Sequence, residues 1–78
     1  MDKAQQQRVK QRFGARLQAL RKARDLSQED VAFAAELDRS YLSAIERGKR
    51  NVSLINIHRI ADALQVEVGE LFAKGDNS

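Results

Sequence analysis

The stretch that decides the fold runs from Gln28 to Arg47 and has the sequence QEDVAFAAELDRSYLSAIER. Apolar residues recur here at a helical period, which predicts two short helices joined by a tight turn. Ser27 is a candidate N-cap, and Asp30 three residues later completes a weaker form of the capping box. The first helix then places three small or branched residues on one face: Val31, Ala32 and Ala35.

The second helix of this pair has a different outer face. Leu37 is the apolar residue expected to anchor the turn to the core, and Asp38 can cap the helix that follows. Leu42 and Ile45 point inward at a spacing of three. The outward residues are polar or basic: Arg39, Ser40, Tyr41, Ser43 and Arg47. A short helix with donors on its free face, supported by another helix, has the dimensions of a major-groove recognition element.

This pattern resembles the helix-turn-helix of the Cro/CI family of repressors, also called the xenobiotic response element family. The positions where that family keeps its core are apolar here: Val31, Ala35, Leu37, Leu42 and Ile45. Gln28 matches the glutamine that the family frequently has in the first of the two helix-turn-helix helices. Glu46-Arg47-Gly48 matches the E-x-G sequence that ends the second. Glu36 departs from the pattern, because it occupies a turn position usually filled by glycine. A positive φ there costs a non-glycine residue roughly 1 kcal/mol.

The rest of the chain predicts three more helices. The first runs from Gln6 or Arg8 to Ala23 or Arg24, with an apolar stripe of Val9, Phe13, Leu17 and Leu20. Gly48 is suited to ending the third helix in a left-handed conformation. Ser53 can cap a fourth helix with Leu54, Ile57, Ile60, Ala61 and Leu64 inward, and a short fifth covers Val68 to Ala73. We therefore expect an all-α, five-helix, lambda-repressor-like domain over residues 8–73, between flexible segments 1–7 and 74–78.

Composition narrows the class of protein. Seventy-eight residues allow one small domain, and the absence of cysteine excludes disulfides and thiolate metal sites. No apolar run approaches the roughly 20 residues of a membrane span, and the absence of cysteine suits a reducing cytoplasm. The resemblance implies a bacterial or phage protein. Charge is segregated: residues 1–24 carry a net +7, 25–38 a net −5 and 39–50 a net +3. Basic segments next to the proposed recognition helix favour a nucleic-acid partner, although Arg8, Lys10 and Arg12 can equally be solvated residues of an exposed helix.

Base contacts are expected from the start of the recognition helix. Arg39 can bind guanine O6 and N7 with two hydrogen bonds, the alternative being contact with phosphate only. Ser40 and Ser43 can reach base edges or phosphates, and Ala44 is small enough to approach a thymine methyl group. Tyr41 can donate its hydroxyl to a phosphate or simply pack against Val52 or Ile55.

Phosphate contacts are expected at two places. The resemblance assigns one to Gln28, at a helix N-terminus where free N–H groups favour an anion. The second is the basic stretch after the recognition helix, comprising Arg47, Lys49, Arg50 and Asn51. Such contacts set affinity and register but carry little sequence information. The alternative for this stretch is an ordinary solvated loop.

Two further sets of residues follow from the resemblance. In the family, an arginine of the first helix pairs with the glutamate at the end of the third, which assigns a structural ion pair to Arg21 and Glu46. The family commonly dimerises around its fourth and fifth helices, which assigns a dimer patch to Ile55, Val68, Leu71 and Phe72. A two-fold dimer would bind an inverted repeat.

Enzyme and cofactor chemistry have no support in the sequence. His58 is a lone histidine without a cysteine or second histidine, so no metal site or cofactor is expected. We interpret the chain as a sequence-specific regulator of transcription that binds double-stranded DNA as a homodimer. An exposed acidic patch at Glu29–Asp30 or Glu36 would suit RNA polymerase if the protein activates.

Two alternatives stay open. The run LDRSYLSAIERGKRN also looks like the controller proteins of restriction–modification systems, which are stand-alone helix-turn-helix domains that autoregulate their operon. An antitoxin-type protein-interaction module with autoregulatory DNA binding is the alternative from another class. A nonspecific nucleoid protein would be expected to have more lysine and no Arg39.

Overall fold

The computed structural model describes residues 1–74. Its elements are α1 (Lys3–Ala23), α2 (Gln28–Ala35), α3 (Arg39–Glu46), α4 (Leu54–Leu64) and a 3-10 helix (Val68–Phe72). The all-α class is confirmed, but the prediction of five α-helices is wrong. The last segment spans only five residues and forms the shorter i to i+3 pattern, with the Glu70 N–H donating to the Glu67 carbonyl over 3.0 Å. An α-helix this short is not favoured in isolation.

The first helix begins earlier than the apolar stripe indicated. Asp2 and Gln5 form a capping box, in which the Gln5 N–H donates to Asp2 Oδ1 over 2.8 Å and the Asp2 N–H to Gln5 Oε1 over 3.0 Å. Residues 3–7 are therefore helical, in contrast to the flexible segment expected there. Of the expected tail, Lys74 follows the 3-10 helix without regular structure, and residues 75–78 lie outside the described part of the chain.

The caps of the later helices differ from one another. Ser27 and Asp30 form the predicted reciprocal box, with hydrogen bonds of 3.0 and 2.8 Å. Ser53 caps α4 by accepting from the Asn56 N–H over 3.2 Å. Asp38 does occupy the N-cap position of α3, but its side chain makes no capping hydrogen bond, so that prediction is wrong. The carboxylate of Asp38 instead lies exposed beside the recognition helix.

The turn between α2 and α3 takes the left-handed conformation that its glycine-like position implied. Glu36 has φ 59° and ψ 43°. This allows the Leu37 N–H to reach back to the Ala32 carbonyl over 2.8 Å, and the half-buried Leu37 side chain packs against the core. Gly48 follows Arg47, the C-cap of α3, and has the predicted left-handed conformation, with φ 74°.

The core lies where α1, α3 and the 3-10 helix meet α2 and α4. Its largest fully buried side chains are Leu17, Leu42, Ile45, Ile60, Leu64, Leu71 and Val31. Two residues assigned to inward stripes are instead exposed, Val9 at 48% and Leu54 at 75%. Each lies on its helix before the first buried residue, Phe13 in α1 and Ile60 in α4, where the helix extends past its partners.

Helices α1 and α3 approach each other closely at Gly14. A Cβ atom at this position would lie 2.7 Å from the Glu46 carbonyl oxygen and closer still to that of Ile45. Only glycine allows this approach without a shift of the backbone. The contact brings the side chains of α1 alongside the end of the recognition helix. None of the helices within residues 1–74 combines the length and the apolar character needed to cross a membrane.

Candidate nucleic-acid interface

The recognition helix α3 presents its first turn to solvent. Arg39 is the first helical residue, and 62% of its side chain is exposed. Its Nε atom lies 3.9 Å from Oε1 of Glu29, whose side chain is 80% exposed. Ser40 is exposed and Ser43 is half-buried. A long, charged and weakly held arginine at this end of a short helix can extend toward a base edge.

A polar concavity lies beside this turn and brings together half of the predicted contact residues. Its lining includes Ser40, Tyr41, Ala44, Arg47 and Arg50, together with Glu36, Leu37, Asp38 and Asn56. The helix and the following loop thus form one continuous surface with basic and hydroxyl groups. Ala44 lies at the floor and is only 8% exposed, which leaves it little surface for the thymine methyl contact expected from the sequence.

Tyr41 has one face on the core and its hydroxyl group at the polar surface. Its ring is half-buried and packs against the hydrophobic core. Its hydroxyl oxygen accepts from Nδ2 of Asn56 over 3.4 Å and lies beside the polar concavity. The guanidinium carbon of Arg50 lies 5.7 Å from the ring centroid, within the range of a cation–π contact. The tyrosine therefore holds Arg50 next to the recognition helix.

The loop after α3 carries the second group of predicted contacts. Arg47, Lys49, Arg50 and Asn51 are all exposed, and Arg47 Nε donates weakly to the Ser43 carbonyl over 3.4 Å. Gln7 Nε2 donates to the Gly48 carbonyl over 3.0 Å, so the start of α1 supports this loop. This contact of Gln7 was not predicted from the sequence, because residues 1–7 were expected to be flexible. The pair Asp2 and Gln5, three residues apart, is the feature of the sequence that could have predicted the early start of α1.

A buried ion pair ties α1 to the end of α3. Arg21 donates from Nε to Glu46 Oε2 over 2.7 Å and from Nη2 to Oε1 over 3.0 Å. The two side chains are 10% and 1% exposed, and Arg21 Nη1 also donates to the Leu26 carbonyl over 2.8 Å. The hydrogen bond that Arg21 donates to Glu46 raises the pKa of Arg21 above its usual value, against the opposing effect of burial. Arg21 therefore keeps its positive charge in this buried position.

Two glutamines complete the coordination of the Glu46 carboxylate. Gln28 Nε2 donates to Oε1 over 3.0 Å and Gln18 Nε2 to the same atom over 3.4 Å. Gln28, expected to bind phosphate, thus has one amide hydrogen committed to the protein, and its second remains for another acceptor. Gln18 was missed, although its position three residues before Arg21 places it on the same helix face.

The residues assigned to a dimer patch separate into two groups. Ile55 and Phe72 are exposed at 64% and 56%, whereas Val68 is half-buried against the core. Leu71 is fully buried at 0%, so its assignment to an interface is wrong. Because a 3-10 helix has three residues per turn, Val68 and Leu71 lie on the same face, and Leu71 anchors that face to the core. Leu54, assigned to the core from its spacing, is 75% exposed and adjoins Ile55.

Comparison with known proteins agrees with this architecture. A helix-turn-helix family model matches residues 17–71. The chain is 52% identical over 66 residues to control protein C.MunI of Mycoplasma sp., covering 83% of this chain and 89% of that protein. It is 47% identical over 60 residues to control protein C.BamHI of Bacillus amyloliquefaciens, covering 76% and 74%.

A solved structure shows the same fold. The crystal structure of the restriction–modification controller protein C.AhdI from Aeromonas hydrophila superposes with a TM-score of 0.79 and 56% sequence identity, over 80% of this chain and 94% of that one. The chain therefore belongs to the helix-turn-helix family of Cro/CI-type DNA-binding transcriptional regulators.

Proposed function

We propose that this chain is a controller-type regulator that binds an inverted-repeat operator in double-stranded DNA as a homodimer, in the cytoplasm of a bacterium. The observation that carries the proposal is the exposed first turn of α3, where the exposed Arg39 directly precedes Ser40, a residue that lines a concavity with hydroxyl and basic side chains. The names of the relatives, C.MunI, C.BamHI and C.AhdI, favour the controller role over the antitoxin alternative.

The side chains have distinct roles in this proposal. Arg39 binds the edge of a guanine in the major groove, with Ser40 and Ser43 beside it. Tyr41, Arg47, Lys49, Arg50 and Asn51 contact the phosphates on the flank of the groove. Gln28 uses its second amide hydrogen for phosphate, held in place by Glu46. The protein thereby separates sequence recognition at the helix start from phosphate contacts in the loop.

The homodimer is supported by exposed apolar side chains. Leu54 and Ile55 are 75% and 64% exposed, which is unfavourable in a small monomer. We propose that a second copy covers them, with Leu54 in the place of the buried Leu71. Half-sites would then be centred roughly one helical turn, or about 34–36 Å, apart.

Contact with RNA polymerase is a second candidate activity, supported by one observation. Phe33 is 88% exposed on α2, one turn from the acidic residues Glu29 and Asp30. An exposed aromatic residue among carboxylates suits a basic protein surface with an apolar recess. Phe33→Ser is expected to keep operator binding and to reduce activated transcription in a purified system. Equal activation by the variant would argue against this contact.

The main experiment is selection of bound sequences from random duplex DNA at about 150 mM salt, where nonspecific phosphate binding is weakened. We expect enrichment of an inverted repeat. With Arg39→Ala, one base pair per half-site should lose its preference, because a bidentate arginine contributes roughly 1–3 kcal/mol of discrimination.

Lys49→Ala is the matched control. It should keep the same preferred sequence, bind more weakly and reduce the slope of log affinity against log salt by roughly one. Folded wild-type protein that enriches no sequence would contradict the proposal. A similar loss of base preference with Lys49→Ala would contradict the assigned division between base and phosphate contacts.

A further inference from the structure

An apolar groove lies on the other side of Arg50 from the polar concavity, between α1 and the chain that follows α3. Its walls come from distant parts of the sequence: Val9, Lys10, Phe13, Arg50, Asn51, Val52, Ile57 and Phe72. Its volume is about 140 Å³. An engineered protein cavity of about 150 Å³ holds one benzene molecule, so the groove is large enough for a single aromatic ring.

The walls of the groove suit an aromatic guest. The rings of Phe13 and Phe72 both line the groove and lie 5.3 Å apart between centroids, tilted by 46°, a geometry typical of aromatic clusters. Val9 and Phe72 are 48% and 56% exposed at the entrance. A guest would remove this apolar surface from water.

The charges at the rim are all of one sign. Lys10 and Arg50 both border the groove, and no acidic residue is among its lining. Within residues 1–74, neither cation forms a salt bridge with a carboxylate. Two unpaired cations beside an apolar cleft favour a ligand with an apolar body and an anionic end.

We propose that this groove binds a small aromatic carboxylate. The ring would lie against Phe13 and Phe72, and the carboxylate would face Lys10 and Arg50. Size limits the body to one ring, and the two cations select an anion over a neutral analogue.

Arg50 connects this groove to the DNA surface. Its guanidinium rests over the Tyr41 ring, 5.7 Å from the centroid, and it lines both the groove and the polar concavity. A carboxylate that pairs with Arg50 competes with a phosphate for the same cation. The bound ligand therefore lowers affinity for DNA, a consequence that rests on the phosphate contact in the proposed function.

The binding test uses the full chain without DNA. Benzoate, benzamide and acetate are titrated separately at constant ionic strength, and backbone amide shifts are followed by NMR. Benzoate is expected to shift the amides of Val9, Val52 and Phe72, with an affinity about tenfold higher than that of benzamide, since one charge-assisted pair distinguishes them. Equal affinities, or shifts scattered away from the groove, would overturn the proposal.

A pair of acidic substitutions locates the site. Val9→Asp places a negative charge at the exposed entrance and is expected to weaken benzoate binding about tenfold or more. Ala34→Asp makes the same kind of change on the exposed face of α2 and should leave it unchanged. A second copy of the chain that fills the groove would exclude benzoate and make these amide shifts depend on protein concentration. That result would also overturn the proposal.

Coupling to DNA is tested by measuring affinity for duplex DNA at fixed ionic strength with and without benzoate. A several-fold loss that acetate does not cause is expected. Benzoate binding without any change in DNA affinity would overturn the coupling. Failure of the chain to prefer any operator would instead count against the proposed function, because the NMR titration does not depend on DNA.

Discussion

The chain contains two arginine–glutamate pairs whose environments are opposite. Arg21 and Glu46 meet at 2.7 Å with side chains 10% and 1% exposed, and two glutamines complete the shell around the carboxylate. Arg39 and Glu29 lie 3.9 Å apart with side chains 62% and 80% exposed. The same two residue types therefore form a structural junction in one place and a loose surface contact in the other.

The difference shows how this small domain keeps its recognition arginine available. An exposed pair contributes little, typically below 1 kcal/mol, because water and side-chain entropy oppose it. Arg39 can therefore leave Glu29 for a base at small cost. Arg21 cannot leave Glu46 without stranding a buried charge. The buried pair fixes the position of α3, and the exposed pair leaves the first side chain of α3 available for the base contact proposed above.

The largest effect is expected from removing the buried carboxylate. Glu46→Ala strands Arg21 and removes the acceptor of Gln18 and Gln28, at a cost of about 3–5 kcal/mol. Because a domain of this size has only a few kcal/mol of stability, we expect a largely unfolded protein. Urea and thermal unfolding followed by circular dichroism, at one protein concentration, measure the change.

Arg39→Ala is the matched control for the exposed pair. Its free energy of unfolding should change by less than about 0.5 kcal/mol. Similar losses for Glu46→Ala and Arg39→Ala would remove the distinction between the two pairs.

The next effect concerns the close approach that brings Arg21 to Glu46. Gly14→Ala places a methyl group against the Ile45 and Glu46 carbonyls, which must move. Overpacking of this kind costs roughly 1–3 kcal/mol. Gly69→Ala is the control, since no atom lies within 4 Å of the added Cβ, and it should change stability by no more than about 0.5 kcal/mol. Denaturant midpoints compare the two, and an unaffected Gly14→Ala protein would contradict the contact.

A smaller effect of opposite sign is expected in the turn between α2 and α3. Glu36 has φ 59°, and Glu36→Gly relieves that strain while adding freedom to the unfolded chain. We expect a net gain of about 0.5–1 kcal/mol in the free energy of unfolding. Ala34→Gly, inside the exposed face of α2, should lose about 1 kcal/mol. A loss at both positions would show that the turn is not strained.

The smallest effect is a pH dependence at the start of α2. Hydrogen bonds from the Ser27 N–H and the Ser27 hydroxyl lower the pKa of Asp30. Its contribution is therefore complete above the unfolded-state pKa and is lost as pH falls through the lower folded-state value. Asp30→Asn cannot titrate, so its stability difference from wild type should shrink between about pH 5 and pH 3. A constant difference over that range in parallel thermal scans would contradict the pKa shift.

Most of the fold could be predicted from the sequence. The spacing of Val31, Ala35, Leu42 and Ile45 predicts the paired helices, and the caps at Ser27 and Ser53 follow from side chains three residues from their partners. The left-handed backbone conformation of Glu36 could be expected, because this turn position of the helix-turn-helix usually holds glycine. These features depend on neighbours within one or two helical turns, and for that reason the order of residues alone reveals them.

Three of the wrong predictions, those for Val9, Leu54 and Leu71, share one cause. Val9 and Leu54 fit apolar stripes but lie past the ends of the packed region, whereas Leu71 was placed outside and is fully buried. Periodicity shows which face of a helix is apolar, but not how far along that face the neighbouring helix extends. The Asp2–Gln5 cap was passed over because it lacks an apolar residue to mark it.

What the sequence determined by itself was the helix-turn-helix and its face of polar and basic side chains, because local spacing and capping specify both. Tertiary structure alone decided the environment of each charged group. Gln18 and Gln28 converge on Glu46, and Arg50 comes to lie between the apolar groove and the DNA surface. Contacts between residues far apart in the chain depend on how helices approach one another, and that approach is set by the packing of the whole core.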